Sequence, residues 1–195
     1  MAAIITSQIT ERNYELIRDR IGTILTEELA AQTVASSVGV WCERKLAFQP
    51  EELPAINVSC DSSNFDSKHS GYKSSDIKYS IDVHTDEAST DSGTGDIIGS
   101  KLAQRIAGII DYILEFPAFD NLLFTPGFIG TTIIESITTG SINQGDANHN
   151  TVVRLQFKVE ASETTEQMQP TTAEGYTTQV KLSTTDFGHK YILNN

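Results

Sequence analysis

Three glycines, Gly93, Gly95 and Gly99, stand ahead of an apolar run in the arrangement G-x-G-x-x-x-G. A dinucleotide-binding turn needs its third glycine one place earlier, so that the helix packs close on its strand and turns its N-terminus toward a pyrophosphate. Asp86, Glu87 and Asp91 lead into these glycines and would repel a pyrophosphate, so the segment reads as a hinge loop. Asp91 and Asp96 flank glycine as the ligands of a calcium loop do, but Leu102 occupies the place of the closing bidentate Glu. His69, His84, His149 and His189 have no other His or Cys at ligand spacing and read as solvated side chains in polar loops or on exposed strand faces. Cys42 and Cys60 fall in apolar, strand-like stretches, where a reduced thiol behaves as a small hydrophobe; they read as buried free thiols.

No G-x-S-x-G elbow marks a serine nucleophile. Glu27 with Glu28 and Glu51 with Glu52 are adjacent carboxylates; neighbours in sequence diverge in space, so neither pair sets an acid and a base across one cleft. The expectation is a protein that is not an enzyme and takes no cofactor or metal. The formal charge of -12 argues against the DNA backbone as principal ligand, because phosphate contacts require clustered Lys and Arg. Only Arg18 with Arg20 and Arg44 with Lys45 come close together, each near compensating carboxylates, and they read as solvated charges. Met1 to Gln8 lacks the cationic run and apolar block of a signal peptide, and the apolar stretches break before the ~20 positions a membrane helix needs. A cytoplasmic site of assembly is therefore expected.

The elements that would hold these residues follow from periodicity. Tyr14, Ile17, Ile21, Leu25 and Leu29 recur at three and four, predicting a helix over Thr10 to Gln32 with Thr10 as N-cap. A first strand begins near Val38, and Pro50 and Pro54 bracket a connection. Ile56, Val58 and Cys60 alternate with Asn57, Ser59 and Asp61, and Ile77, Tyr79, Ile81 and Val83 with Lys78, Ser80, Asp82 and His84: two half-buried strands. Between them Ser62 to Ser75 is expected as a loop too hydrophilic to pack. A second polar loop, Thr85 to Gly95, precedes a helix capped by Asp96 whose stripe is Ile98, Leu102, Ile106, Ile109 and Ile113, widened by Ile110 and Leu114; Pro117 ends it.

After an aromatic loop, Pro117 to Gly130, the chain reads as a hairpin with arms Thr131 to Ile142 and Thr151 to Ala161. Asn143, Gly145, Asp146, Asn148 and Asn150 supply its turn, since these residue types tolerate positive φ. Val153, Leu155, Phe157 and Val159 face in, and Arg154, Gln156, Lys158 and Glu160 face out. From Ser162 to Gly175 the composition is too polar to order itself. Tyr176, Thr178, Val180 and Leu182 then alternate as a terminal strand that either closes the protein's own sheet or adds to a neighbour's edge. The order α, β, β, β, α, β, β predicts an α+β fold: a two-layer sandwich, mostly antiparallel, covered on one face by two helices. The expected division is residues 1–162 as this domain and 163–195 as a C-terminal arm.

That order resembles the tail terminator and tail completion proteins of long-tailed bacteriophages. The corresponding stretches are Tyr14 to Leu29, the P-x-I-x-V strand Pro54 to Val58, Ile77 to Thr85, Asp96 to Leu114, and Thr131 to Ala161. The resemblance implies a sixfold homo-oligomeric ring in the virion. Such a ring stacks on the last ring of the tail tube protein, ends polymerisation of tube and of any sheath, and offers a docking face to the head-tail connector. DNA would pass through the lumen without specific binding, and no membrane is involved. On this resemblance the contact elements are the loop with Asp66, Lys68 and Tyr72, the hairpin tip with Asn143, Asp146 and Asn148, and the arm with Tyr176, Val180 and Leu182. Another neck or head-completion protein, and a small enzyme with an unrecognised site, are the rival readings.

Overall fold

The computed structural model describes residues 11–69, 72–86, 95–143, 149–164, 178–180 and 189–191. Contacts divide the chain into two compact units, residues 9–165 in one and 1–8 with 166–195 in the other.

In the larger unit α1 (Asn13–Ala30) is followed by β1 (Gly39–Cys42), β2 (Ala55–His69), β3 (Tyr72–Asp86), α2 (Gly95–Leu114), β4 (Ile129–Asn143) and β5 (His149–Thr164). The sheet order is β1-β2-β3-β5-β4. Only β1 against β2 is parallel; the other neighbours are antiparallel. Both helices pack on one face, α1 over β1 and β2 and α2 over β3 and β5. The protein is thus the α+β sandwich its periodicity predicts. Ile56 and Val58, alternate residues Ile77, Tyr79, Ile81 and Val83, and Val153, Leu155, Phe157 and Val159 form the buried inner face.

Ile17, Ile21, Leu25 and Leu29 of α1 are buried as predicted, joined by Ile24. The helix starts at Asn13, later than the predicted cap at Thr10, a residue outside those described. Glu15 performs the capping: its carboxylate accepts the Arg12 backbone N–H at 2.8 Å. Gly22 brings α1 close to β1, since a Cβ there would lie 2.6 Å from Cys42 Sγ. Tyr79 is fully buried and donates its hydroxyl to the Tyr14 carbonyl at 2.9 Å, tying α1 to β3. Burial pushes its phenol pKa far up.

The stripe of α2 is the predicted one, except that Ile98 lies outside it and Ala103 and Ala107 join it. Ala103, Ile106, Ala107, Ile110, Ile113 and Leu114 are buried, while Ile97 and Ile98 are 51% and 49% exposed. Two alanines let the helix lie close to the strands, and the larger isoleucines of its first turn fall outside the contact. Helix α2 begins at Gly95, so Asp96 sits within its first turn and not at the cap.

The largest correction concerns Ser62 to Ser75. Apart from residues 70 and 71, which are not described, this stretch is strand: β2 runs on to His69 and β3 starts at Tyr72. Lack of apolar residues bars a segment from a core, not from a ladder. Here β3 pairs β2 on one side and β5 on the other, so its backbone groups are satisfied with little apolar burial. For the same reason Ser162 to Thr164, expected as unordered, belong to β5, where they pair with Lys73 and its neighbours. The hairpin arms likewise extend past their predicted limits, to Ile129, Asn143, His149 and Thr164.

In the smaller unit β6 (Thr178–Val180) pairs antiparallel with β7 (His189–Tyr191). Val180 lies opposite His189.

Candidate functional site

The face of the sheet opposite the helices is polar, and its side chains are built in register. Asp82 stands directly across from Arg154, and the guanidinium donates from Nε and Nη2 to both carboxylate oxygens at 2.7 Å. The Asp82 carboxylate is nearly buried beneath this fork. Ser80, across from Gln156, donates to Asp61, and the Gln156 amide donates to Ser80 at 2.7 Å and to Asp61 at 3.1 Å.

The next two rows place like charges opposite each other, Lys78 across from Lys158 and Asp76 across from Glu160, an arrangement that destabilises a sheet. Diagonal contacts relieve both. Lys158 turns to Asp76 at 3.1 Å, with Glu160 at 3.9 Å, while Lys78 pairs with Glu135 of β4 at 2.6 Å and Thr131 donates to Glu160. The named carboxylates Asp61, Asp76, Asp82, Glu135 and Glu160 outnumber Lys78, Arg154 and Lys158, so the face is acidic even after pairing.

At the β1 side the same face carries an aromatic clasp. Phe48 lies between the Arg44 guanidinium, 4.5 Å from its ring centroid, and the His84 ring at 4.9 Å, with Trp41 edge-on at 5.1 Å. Arg44 donates to both oxygens of Glu52 at 2.9 and 2.7 Å, and this hydrogen bonding holds the Glu52 carboxyl below its ordinary pKa. Trp41 folds over Gly39, where a Cβ would collide with the indole. His84, expected as a solvated histidine, is instead half-buried against Phe48. Burial lowers its pKa, with Asp82 opposing and Arg154 reinforcing that shift.

Strand β1 ends at Cys42, and the next residue, Glu43, turns the chain away with a φ of 55°. Its carboxylate replaces the missing strand by accepting the Cys60 N–H at 2.7 Å. Burial pushes the Glu43 pKa up, but the Cys60 N–H and Lys45 outweigh it and hold the carboxylate ionised. Cys42 and Cys60 are free, as read from sequence, and half-buried, and burial raises both thiols.

Chemically, the arrangement holds charges in fixed pairs. Lys78, Arg154 and Lys158 of the open face and Arg44 and Lys45 of the clasp each have a carboxylate partner, so these groups build a rigid surface. Among the described residues no cluster of His, Cys, Asp or Glu is arranged to hold a metal ion. Nor is any described helix long and apolar enough to cross a membrane.

The residues predicted as contacts fall at separate places. Asp66 and Lys68 on β2 and Tyr72 on β3 occupy one end of the sheet, where His69 pairs with Tyr72 and Asp66 with Ser74. Asn143 is at the opposite end, paired with His149. Val180 is in β6. Asp146, Asn148, Tyr176 and Leu182 lie outside the described residues. The clasp and the Asp82–Arg154 fork went unread in the sequence. The fork was accessible, since both residues had been assigned to outward-facing strand positions and lacked only the strand register. The clasp had no periodic signal, because Arg44 and Phe48 come from an irregular connection.

No family model matches the sequence, and no curated protein does. Among solved structures the chain is similar to one in the virion of a native gene transfer agent (GTA) particle. The identity is 17% and the TM-score 0.47, over 71% of this chain and 92% of that one. A second solved chain is similar at 19% identity and a TM-score of 0.44, over 76% of this chain and 96% of that one.

Proposed function

We propose that this chain is a structural component of a phage-type virion, a ring-forming tail terminator that caps the tail tube and presents a docking surface to the head connector. The observation that carries the reading is the placement of the two long hairpins. The paired residues His69 and Tyr72 lie beside Thr164 at one end of β5, and the paired residues Asn143 and His149 lie at the other end, next to the Asp86–Asn150 pair. A subunit standing between two axial partners needs a contact element at each end, and one continuous ladder supplies both. The internally paired polar face agrees with an assembly role, because its charges are committed to the subunit's own architecture.

In a sixfold ring of such subunits, an acidic sheet face turned to the lumen repels the DNA backbone, so that DNA moves through without adhering. The partners are then further copies of the chain, the tail tube protein, a sheath protein if the tail contracts, and connector proteins. A nonsense mutation in a phage carrying this gene is expected to give tails of irregular, excessive length with unattached heads. Tails of normal length joined to heads would falsify the terminator role.

A further inference from the structure

Strand β4 is 15 residues long and lies at the edge of the sheet, with no described strand beyond it. Natural edges are usually blunted by proline, lysine, shortness or bulges, and the bulges of this one are confined to its first half. This one has no proline or lysine, and its sole charge, Glu135, is neutralised by Lys78. Its pairing with β5 is irregular at Ile129/Thr132 and Ile134/Ser136 and then runs unbroken from Ser136 to Asn143.

Two large side chains on it are exposed, Ile133 at 55% and Ile137 at 48%. Their positions are informative. Ile133 pairs with Lys158 and so belongs to the polar outer face, whereas Ile137 pairs with Leu155 and belongs to the helix-covered inner face. A partner laid on either face would cover one isoleucine and leave the other in water. A strand added beside β4 covers both, because its own side chains project to the two faces alternately.

We infer that β4 is the docking edge for a strand from a second copy of this chain, a step that rests on the ring reading for the identity of the partner. Strand direction favours a copy placed alongside in the same orientation. Strands β1 and β2 run parallel and β4 runs opposite to them, so the far edge of one sheet meets β4 of the next in antiparallel sense. Among the described residues that far edge is also open: β1 covers only Ala55 to Val58 of β2, and no described strand flanks β2 from Ser62 to His69 on that side. Each copy thus has one edge of each kind, which is the condition for a head-to-tail interface that closes into a ring. The free residues Ser62 to His69, about 27 Å long and with side chains about 10 Å deep, bury on the order of 270 Å² on each partner. The total of about 540 Å² is that of a weak pairing, which makes the assembly dependent on concentration.

The test measures the mass of the full-length chain by light scattering across a concentration series, with amide hydrogen exchange on β4 peptides at each end of it. Docking predicts an assembly in which the outward-pointing half of the β4 amides, fast in dilute monomer, exchange at least tenfold more slowly. The double variant I133K/I137K should raise the dissociation constant at least tenfold with unchanged circular dichroism. Y112K, on the outer surface of α2 where Tyr112 is 70% exposed, should assemble normally. The exchange measurement on the unaltered chain stands even if the double variant misfolds. An assembly whose outward β4 amides stay fast overturns the docking edge and leaves the ring; a chain that is monomeric at every concentration overturns both.

Discussion

The two faces of the one sheet are built from the same strands and do different work. Along β3 and β5 the inner face presents Ile77, Tyr79, Ile81, Val83, Val153, Leu155, Phe157 and Val159, all buried against helices. One residue over, the outer face presents Asp76, Lys78, Ser80, Asp82, Arg154, Gln156, Lys158 and Glu160, joined by side-chain hydrogen bonds and ion pairs. The inner face draws on apolar area removed from water and on packing density. The outer face draws on geometry, since every charge there must find its counterpart across or diagonal to it. Stability should therefore depend strongly on single inner residues and on outer residues only where removing one strands a buried partner.

The sharpest test is Phe157→Ala, which removes a fully buried ring at the centre of the inner face and is expected to cost about 3–5 kcal/mol in denaturant unfolding. A loss under about 1 kcal/mol would mean that the helices do not seal that face. On the outer face Arg154→Ala strands the nearly buried Asp82 carboxylate and should cost about 1–3 kcal/mol, with Asp82→Asn in the same chain recovering part of it. At the contact of α1 with β1, Gly22→Ala should cost about 1–3 kcal/mol through its clash with Cys42, and Cys42→Ala should relieve it. Persistence of the defect in the double variant would place the strain elsewhere.

The clasp adds a pH dependence. His84 has a lowered folded-state pKa, so on acidification the unfolded chain takes up its proton first, near the ordinary value of 6.5. Its contribution is fully present above that value and is lost as pH falls below it toward the folded pKa. Denaturant midpoints measured downward from neutrality should decline through this window, and His84→Gln should flatten that decline. The depressed carboxylates Glu43 and Glu52 act lower, beneath their ordinary 4.5, which separates the two effects. The smallest expected effect is at the exposed pair: Lys78→Met should change stability by no more than about 1 kcal/mol.

Much of this fold was legible because burial has a period. Alternation in Ile56 to Cys60, Ile77 to Val83 and Val153 to Val159 marked strands and their inner face, and spacings of three and four marked both helices. Burial has no period where there is none to have, and so the polar continuation through Asn64, Asp66 and Ser74 was misread as loop although its backbone pairs on. The alanines that join the α2 stripe carry no such signal either. Ile98 is the more hydrophobic residue, but Ala103 and Ala107 fit the narrow space over β3 and β5, and closeness of approach is a property of two surfaces together. The candidate contact residues were placed by resemblance and turn chemistry; the exposed edge at Ile133 and Ile137 emerged only with strand order, which one-dimensional patterns do not encode.

Strand β5 reaches both ends of the five-stranded sheet, with 16 residues that at roughly 3.4 Å apiece extend over about 50 Å. It is flanked along its length by β3 and along most of it by β4, so its backbone can neither stretch nor buckle without breaking several neighbouring rungs at once. The sheet is thereby a strut of set length: a load at the His69–Tyr72 end is felt at the Asn143–His149 end, and the distance between the two is dictated by a count of residues.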